Sequence, residues 1–282
     1  MDLLSSPAAL RTQCRQWRKQ GLSIALVPTM GFLHAGHMSL IDYARTRADK
    51  LVVSVFVNPT QFGPNEDLDR YPRDLPHDLE LAAQHGADAV FAPEPGAMYQ
   101  PDHATWVEVP ELAAGLCGAS RPIHFRGVCT VVLKLLNLVQ PEVAVFGQKD
   151  WQQLAILKRM ARDLDLDAEL VGMPIFREAD GLAMSSRNVY LTSEERAKVP
   201  AIRQGLLKVQ QRVDEGERDA EALALMFRAH LAAALPEARA DYVALVHPES
   251  MAPVARLSVA TLLAVAVFIG KVRLIDNILL EV

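Results

Sequence analysis

Short apolar runs rich in β-branched residues alternate with stretches of three-to-four-residue periodicity over the first two-thirds of the chain, the pattern of βα units on a parallel sheet. Residues 22–27, 51–57, 87–92, 106–109, 143–146 and 170–175 read as strands. Between them, residues 38–48 carry Leu40, Ile41 and Ala44 at helical spacing, and residues 76–85 run into Gly86, a C-terminal cap. Residues 128–138 and 151–164 repeat the helical period. Near residue 180 the pattern changes. Thr192 with Glu195 forms a capping box that opens a helix to about Val213, with Leu206, Leu207 and Val209 on its apolar side. A helix over 219–235 follows, then apolar runs at 242–246, 259–269 and 278–282, with 259–269 read as a buried strand pair. The pattern predicts an α/β architecture: a Rossmann-like parallel-sheet domain over 1–178 and a smaller α+β lid domain over 179–282.

Composition narrows the classes. Half of the 282 residues are apolar and 22% charged, the balance of a chain that folds around a core. A net charge of −5 supplies no positive field for nucleic acid or an anionic membrane, and the 259–269 run is too short to span a bilayer. Cys14, Cys117 and Cys129 lack C-x-x-C spacing, which speaks against a disulfide framework or structural zinc and for the reducing cytoplasm.

Three polar clusters stand out. The segment Met30-Gly31-Phe32-Leu33-His34-Ala35-Gly36-His37 joins the first predicted strand to its crossover helix. Its glycines allow close backbone approach, and a helix N-terminus offers free N–H groups to phosphate. His34 and His37 face one way on a helical turn, either as donors to phosphoryl oxygens or as capping and surface groups. Gly147-Gln148-Lys149-Asp150 follows another strand, where open α/β sheets bind ligands, although Asp150 taken alone reads better as a plain N-cap. Met184-Ser185-Ser186-Arg187 is either a phosphate-closing loop or a solvated turn. Neither a P-loop nor a G-x-G-x-x-G or G-x-S-x-G motif occurs.

Together, the His34-Ala-Gly-His37 and Met184-Ser-Ser-Arg187 stretches resemble the two signatures of HIGH-type nucleotidyltransferases. Pro28 to Gly31, Asn58-Pro-Thr-Gln-Phe62, Tyr71-Pro-Arg73, His124-Phe-Arg-Gly127, Gly147 to Asp150 with Gln152 and Gln153, Gly181 to Asn188, and Arg273-Leu-Ile-Asp-Asn277 extend the match over the whole chain. This ordered set resembles the pantoate–β-alanine ligase family. The resemblance implies ATP and Mg²⁺ as reactants with D-pantoate and β-alanine, a pantoyl-adenylate intermediate, and a homodimer. It implies that residues Met30 to His37, Gly147 to Asp150, Phe176 and Met184 to Arg187 serve ATP. The catalytic set would be His34, His37, Lys149, Ser185, Ser186 and Arg187, with Gln61 and Gln153 for pantoate, Gln61 also near β-alanine, and no dedicated metal ligands.

Three departures accompany the match. Gln148 stands where many relatives carry Glu, and Cys117 and His77 stand where several carry an acidic residue. Two rivals remain open at this level: a nucleotidyltransferase that leaves the nucleotide on its acceptor, and a binding protein that keeps an ATP pocket without turnover.

Overall fold

The computed structural model describes residues 1–64 and 66–282. They divide into two compact units, one comprising Met1–Glu111, Arg121–Gln148 and Ile156–Pro174, the other Leu112–Ser120, Lys149–Ala155 and Ile175–Val282.

The first unit holds β1 (Asp2–Leu4), α1 (Pro7–Lys19), β2 (Ile24–Thr29), α2 (Ala35–Arg45), β3 (Lys50–Val55), α3 (Leu75–Gln84), β4 (Ala89–Phe91) and the single turn α4 (Pro95–Met98). Along the chain follow the short turns α5 (Pro110–Ala113) and α6 (Cys117–Ser120), which from Leu112 on belong to the second unit, then α7 (His124–Val139), β5 (Val143–Gly147), α8 (Trp151–Asp163), whose start to Ala155 also belongs to the second unit, and β6 (Glu169–Met173). The six strands form one parallel sheet in the order β1-β4-β3-β2-β5-β6. Ile24, Ala25, Leu26 and Val27 of β2 are all fully buried, as a central parallel strand covered on both faces requires. One core packs Ala25 and Val27 against Ile41 and Ala44 of α2, Val53 of β3 and Val145 of β5.

The strand order reverses at β2, which pairs with β3 on one side and β5 on the other. Such a reversal leaves a crevice beyond the carboxyl ends of the two diverging strands. Here those ends lead into residues 30–37 and into Gly147 and Gln148.

Three elements differ from the sequence pattern. Residues 106–109 enter no ladder, and the Val107 N–H is satisfied instead by Thr130 Oγ1 at 3.1 Å. The sixth strand is β1, too short for periodicity to reveal, which pairs with β4 at Asp2↔Ala89. Helix α1, absent from the sequence pattern, is capped by the Ser6 hydroxyl on the Ala9 N–H and buries Leu10, Cys14 and Trp17 along one face.

The second unit contains α9 (Ser193–Lys198), α10 (Ala201–Asp214), α11 (Ala220–Ala234) and an antiparallel sheet β7-β8-β9 (Arg239–Val246, Thr261–Ile269, Val272–Leu280). The predicted single helix to Val213 is two helices, because Pro200 has no N–H to carry the backbone hydrogen-bond ladder onward, although Val199 before it keeps helical dihedrals. Leu206 and Val209 are buried as expected, but Leu207 is 47% exposed. The run 259–269 is one strand rather than a pair, and its partner β9 begins at Val272, earlier than 278. No helix among the described residues is long and apolar enough to cross a membrane.

Helix α7 holds the short turn after β3, Pro59–Gln61, from behind. A Cβ on Gly127 would lie 2.5 Å from Thr60 O and 2.6 Å from Gln61 N, so glycine is needed for the helix to approach that backbone. Just before α7, Arg121 reaches the Gln61 carbonyl at 3.3 Å and grips both carboxylate oxygens of Glu66. Burial alone would raise the Glu66 pKa, but the bonds and charge of Arg121 outweigh it and hold it below the usual glutamate value.

Two tests follow from this packing. Gly127→Ala is expected to destabilise the protein by about 1–3 kcal/mol, seen as a lower urea midpoint; an unchanged midpoint would contradict the close approach. A depressed folded pKa contributes stability that is present above the unfolded value and lost as pH falls through the folded one. Stability should therefore fall less steeply on the acid side in Glu66→Gln than in wild type, and parallel profiles would show that the Arg121 contact is not stabilising.

Candidate active site

The first site segment is shaped at the end of β2. Thr29 donates its hydroxyl hydrogen to Ser54 O at 2.6 Å and accepts the Gly31 N–H at 3.1 Å. Gly31 then turns at φ +80°, where a Cβ would meet Asp78 Oδ2 and Val55 Cγ1 at 2.8 Å, and Phe32 follows at φ +51°. This backbone is held by Asp78 of α3, only 1% exposed: the Phe32 N–H donates to Oδ2 at 2.9 Å and the Leu33 N–H to Oδ1 at 2.6 Å. Burial raises the Asp78 pKa, and the two N–H bonds only partly counter it. Sequence reasoning missed Asp78. Its one local signal, an acid in the first turn of a helix, says nothing about a partner 45 residues earlier.

The clamp delivers the chain into α2. His34 is the extended N-cap and His37 lies in the first turn, their ring centroids 4.0 Å apart. His37 Nδ1 accepts the His34 N–H at 3.3 Å. In neutral His37 the ring proton therefore sits on Nε2, making that nitrogen the donor. Ala35 is exposed, and the Gly36 carbonyl accepts the Ser39 hydroxyl.

Gln61 lies against this loop. It is 7% exposed, its Nε2 donates to Met30 Sδ at 3.0 Å, and its backbone carbonyl accepts from His124 Nδ1 at 3.0 Å. In the first unit, then, the loop residues and Gln61 come together, and Gly147 ends the strand next to β2 with Gln148 directly after it.

The second unit gathers another group. Lys149 Nζ donates to Ser185 Oγ at 3.4 Å and lies 3.9 Å from Asp150, while its backbone carbonyl accepts from Asn277 Nδ2 at 3.1 Å. The Phe176 carbonyl receives the Met184 N–H at 3.0 Å across a tight hairpin, so these two predicted residues share one turn. Ser185 caps the following turn, accepting the Arg187 N–H, and Ser186 is buried behind it. Asn188 fixes the turn to Glu178 Oε1 and Ala183 O. Arg177 makes a two-oxygen ion pair with the buried Asp276, the neighbour of Asn277. Asp276 and Asn277 are the supporting residues that the sequence reading placed only within a tail motif.

The adjacent glutamines separate cleanly. Gln152 is buried with both amide ends engaged, Oε1 by the Cys117 N–H and Nε2 by the carbonyls of Leu112 and Gly115. Gln153 is half-exposed. Among the described residues no three His, Cys, Asp or Glu side chains group to hold a metal ion.

Comparison with known proteins gives the family. A family profile described as pantoate-beta-alanine ligase matches residues 2–279. The pantothenate synthetase of Nitratidesulfovibrio vulgaris (strain Miyazaki F) is 58% identical over 280 residues, covering 99% of both chains, and that of Desulfovibrio desulfuricans is 59% identical over 281 residues, covering 100% of both. Among solved structures, a pantothenate synthetase from Thermus thermophilus matches over the full length of both chains with a TM-score of 0.93 and 44% identity. A pantoate-beta-alanine ligase from Francisella tularensis, solved with beta-gamma ATP and beta-alanine, matches over 99% of this chain and 97% of its own with a TM-score of 0.80 and 33% identity. The match is end to end in sequence and in fold, and the chain belongs to the pantoate–β-alanine ligase family.

Proposed function

We propose that this enzyme condenses D-pantoate with β-alanine, converting ATP to AMP and diphosphate through a pantoyl adenylate. The observation that carries the reading is the loop after β2, with two imidazoles on the first turn of α2 and the Gln61 amide against Met30. The solved F. tularensis relative, named for its complex with beta-gamma ATP and beta-alanine, supports the same substrates here.

In the first half-reaction a pantoate carboxylate oxygen bonds to the α-phosphorus and the α–β bridging bond breaks, its electron pair leaving with diphosphate. No protein nucleophile is needed, so catalysis consists of positioning and of stabilising charge on phosphoryl oxygens. His34 and His37 would meet phosphate, with His37 Nε2 as the proton donor. Lys149 would neutralise developing charge, with Ser185, Ser186 and Arg187 on the triphosphate. Gly147 to Asp150, Phe176 and Met184 would hold the nucleotide, Phe176 through its backbone. Gln61 and Gln153 would bind pantoate, and Gln61 also β-alanine. In the second half-reaction the amine bonds to the acyl carbon and AMP departs. ATP would enter as its magnesium complex, with the cation carried on the triphosphate. The full reading includes a homodimer and a cytoplasmic location, supported by family resemblance and by three cysteines that are free.

Rapid-quench analysis tests the order of events. Without amine, one enzyme equivalent of diphosphate should form and no AMP, because a mixed anhydride survives only where water is excluded. β-Alanine should then release AMP and pantothenate together; diphosphate that waits for β-alanine would refute the stepwise route. Lys149→Ala should lower turnover about 10²- to 10³-fold without loss of fold, and turnover within threefold of wild type would remove Lys149 from the chemistry.

A further inference from the structure

Gln61 is an amide, and an amide can meet a substrate with either end. Its neighbours fix which. Asn58, 1% exposed, donates from Nδ2 to two oxygens, Gln61 Oε1 and the Gly127 carbonyl, each at 3.1 Å. The Gly127 carbonyl can only accept, so Asn58 cannot be turned the other way without setting two acceptors against each other. Asn58 Oδ1 in turn faces two hydroxyls: Tyr99 donates to it at 2.9 Å and Thr60 Oγ1 lies at 2.9 Å. Burial raises the Tyr99 pKa, which keeps this hydroxyl protonated and a donor at neutral pH. With Oε1 turned to Asn58 and one Nε2 hydrogen on Met30 Sδ, Gln61 has its second Nε2 hydrogen left to offer.

We propose that Tyr99 is a positioning residue for pantoate recognition: through Asn58 it holds the Gln61 amide so that its Nε2 donor, rather than its Oε1 acceptor, is turned to the substrate. The matching substrate atom is an oxygen lone pair, of a pantoate hydroxyl or carboxylate. The inference rests on the proposed function and narrows it from an amide of either polarity to a donor held by a relay. Tyr99 lies well beyond Gln61 in sequence, outside every motif that marked the family.

The ring of Tyr99 is anchored independently of its hydroxyl. It stacks on Trp106 at 6.4 Å, meets His103 edge-on at 5.0 Å and lies under Lys134 Nζ at 5.5 Å. Tyr99→Phe therefore removes the relay bond and keeps the packing. The loss of one such bond should raise the pantoate KM about three- to tenfold, with kcat and the ATP KM within twofold of wild type.

A double-mutant cycle separates positioning from general support. In a Gln61→Ala background, where no amide remains to be oriented, Tyr99→Phe should change the pantoate KM no further. An unchanged pantoate KM in Tyr99→Phe, an equal rise in the ATP KM, or the same fold-change in both backgrounds would overturn the proposal. Thr60→Val is the second probe. It removes the other hydroxyl, with its 3.2 Å bond to Tyr99 Oη, and leaves the Tyr99–Asn58 bond, so its effect on the pantoate KM should be smaller, and an effect as large as that of Tyr99→Phe would transfer the role to Thr60. Should Tyr99→Phe fail to fold, a rise above threefold in Thr60→Val would likewise count against Tyr99. Failure of the functional reading looks different: wild-type enzyme would then form no pantothenate from pantoate, β-alanine and ATP.

Discussion

A buried carboxylate holds the loop on which the first site group depends. Asp78 takes one N–H from Phe32 and one from Leu33 across 46 and 45 residues of sequence, and it does so with 1% of its surface in water. Hydrogen bonds to a charged group are worth about 1.5–3 kcal/mol each, so the pair offsets desolvation of the carboxylate only in part. The raised pKa of Asp78 has the same origin. Its ionisation is thus supported only while the turn is formed, and the turn in turn needs Gly31, because any Cβ there would press on the carboxylate itself. Clamp and glycine are one device. Together they fix where α2 begins, and with it the relative placement of His34 and His37.

The second site group is supported in a different manner. Lys149 is a long side chain on a short turn that runs directly into α8. Asn277 on the last strand adds a distant hold, its amide donating to the Lys149 carbonyl. Asp276 next to it is locked by Arg177, which leads into the hairpin carrying Met184 and Ser185. The turn that presents Lys149 and the turn that presents Ser185 are therefore both fixed to β9, and a disturbance of either would be felt by the other.

The division between what the sequence revealed and what it concealed follows from the range of the interactions. Parallel strands buried on both faces announce themselves as continuous apolar runs, and β2, β3 and β5 were legible for that reason. Residues 106–109 carry the same propensity but no neighbouring strand offers them a ladder, and β1 acquires its strand character only by pairing with β4. The motifs marked residues that face one another locally, such as His34 with His37 or Ser185 with Arg187. Asp78 and Tyr99 instead act on partners tens of residues away, and Asn277, which the tail motif marked without its partner, on one more than a hundred away. No spacing rule reaches that far, and each is an ordinary polar residue in its own segment.

The departures from the family pattern can be judged by what surrounds them. His77 is exposed on the first turn of α3, and its backbone N–H is capped by Asp74 as any residue's would be, so the exchange leaves the two hydrogen bonds of the Asp78 clamp in place. Cys117 is buried, its Sγ 3.3 Å from Tyr242 Oη and 3.4 Å from Arg273 Nη2. An acidic residue at that position would have supplied Arg273 with a counter-charge. Here Asp241 supplies it, accepting from Nε at 3.1 Å and Nη2 at 2.8 Å, and a second bond from Ser120 holds Asp241 in place. The guanidinium thus remains paired although Cys117 carries no carboxylate. Meanwhile the Cys117 N–H keeps its bond to Gln152, the residue before Gln153. The backbone contact that ties this segment to the start of α8 does not depend on which side chain position 117 bears, so the substitution is absorbed locally.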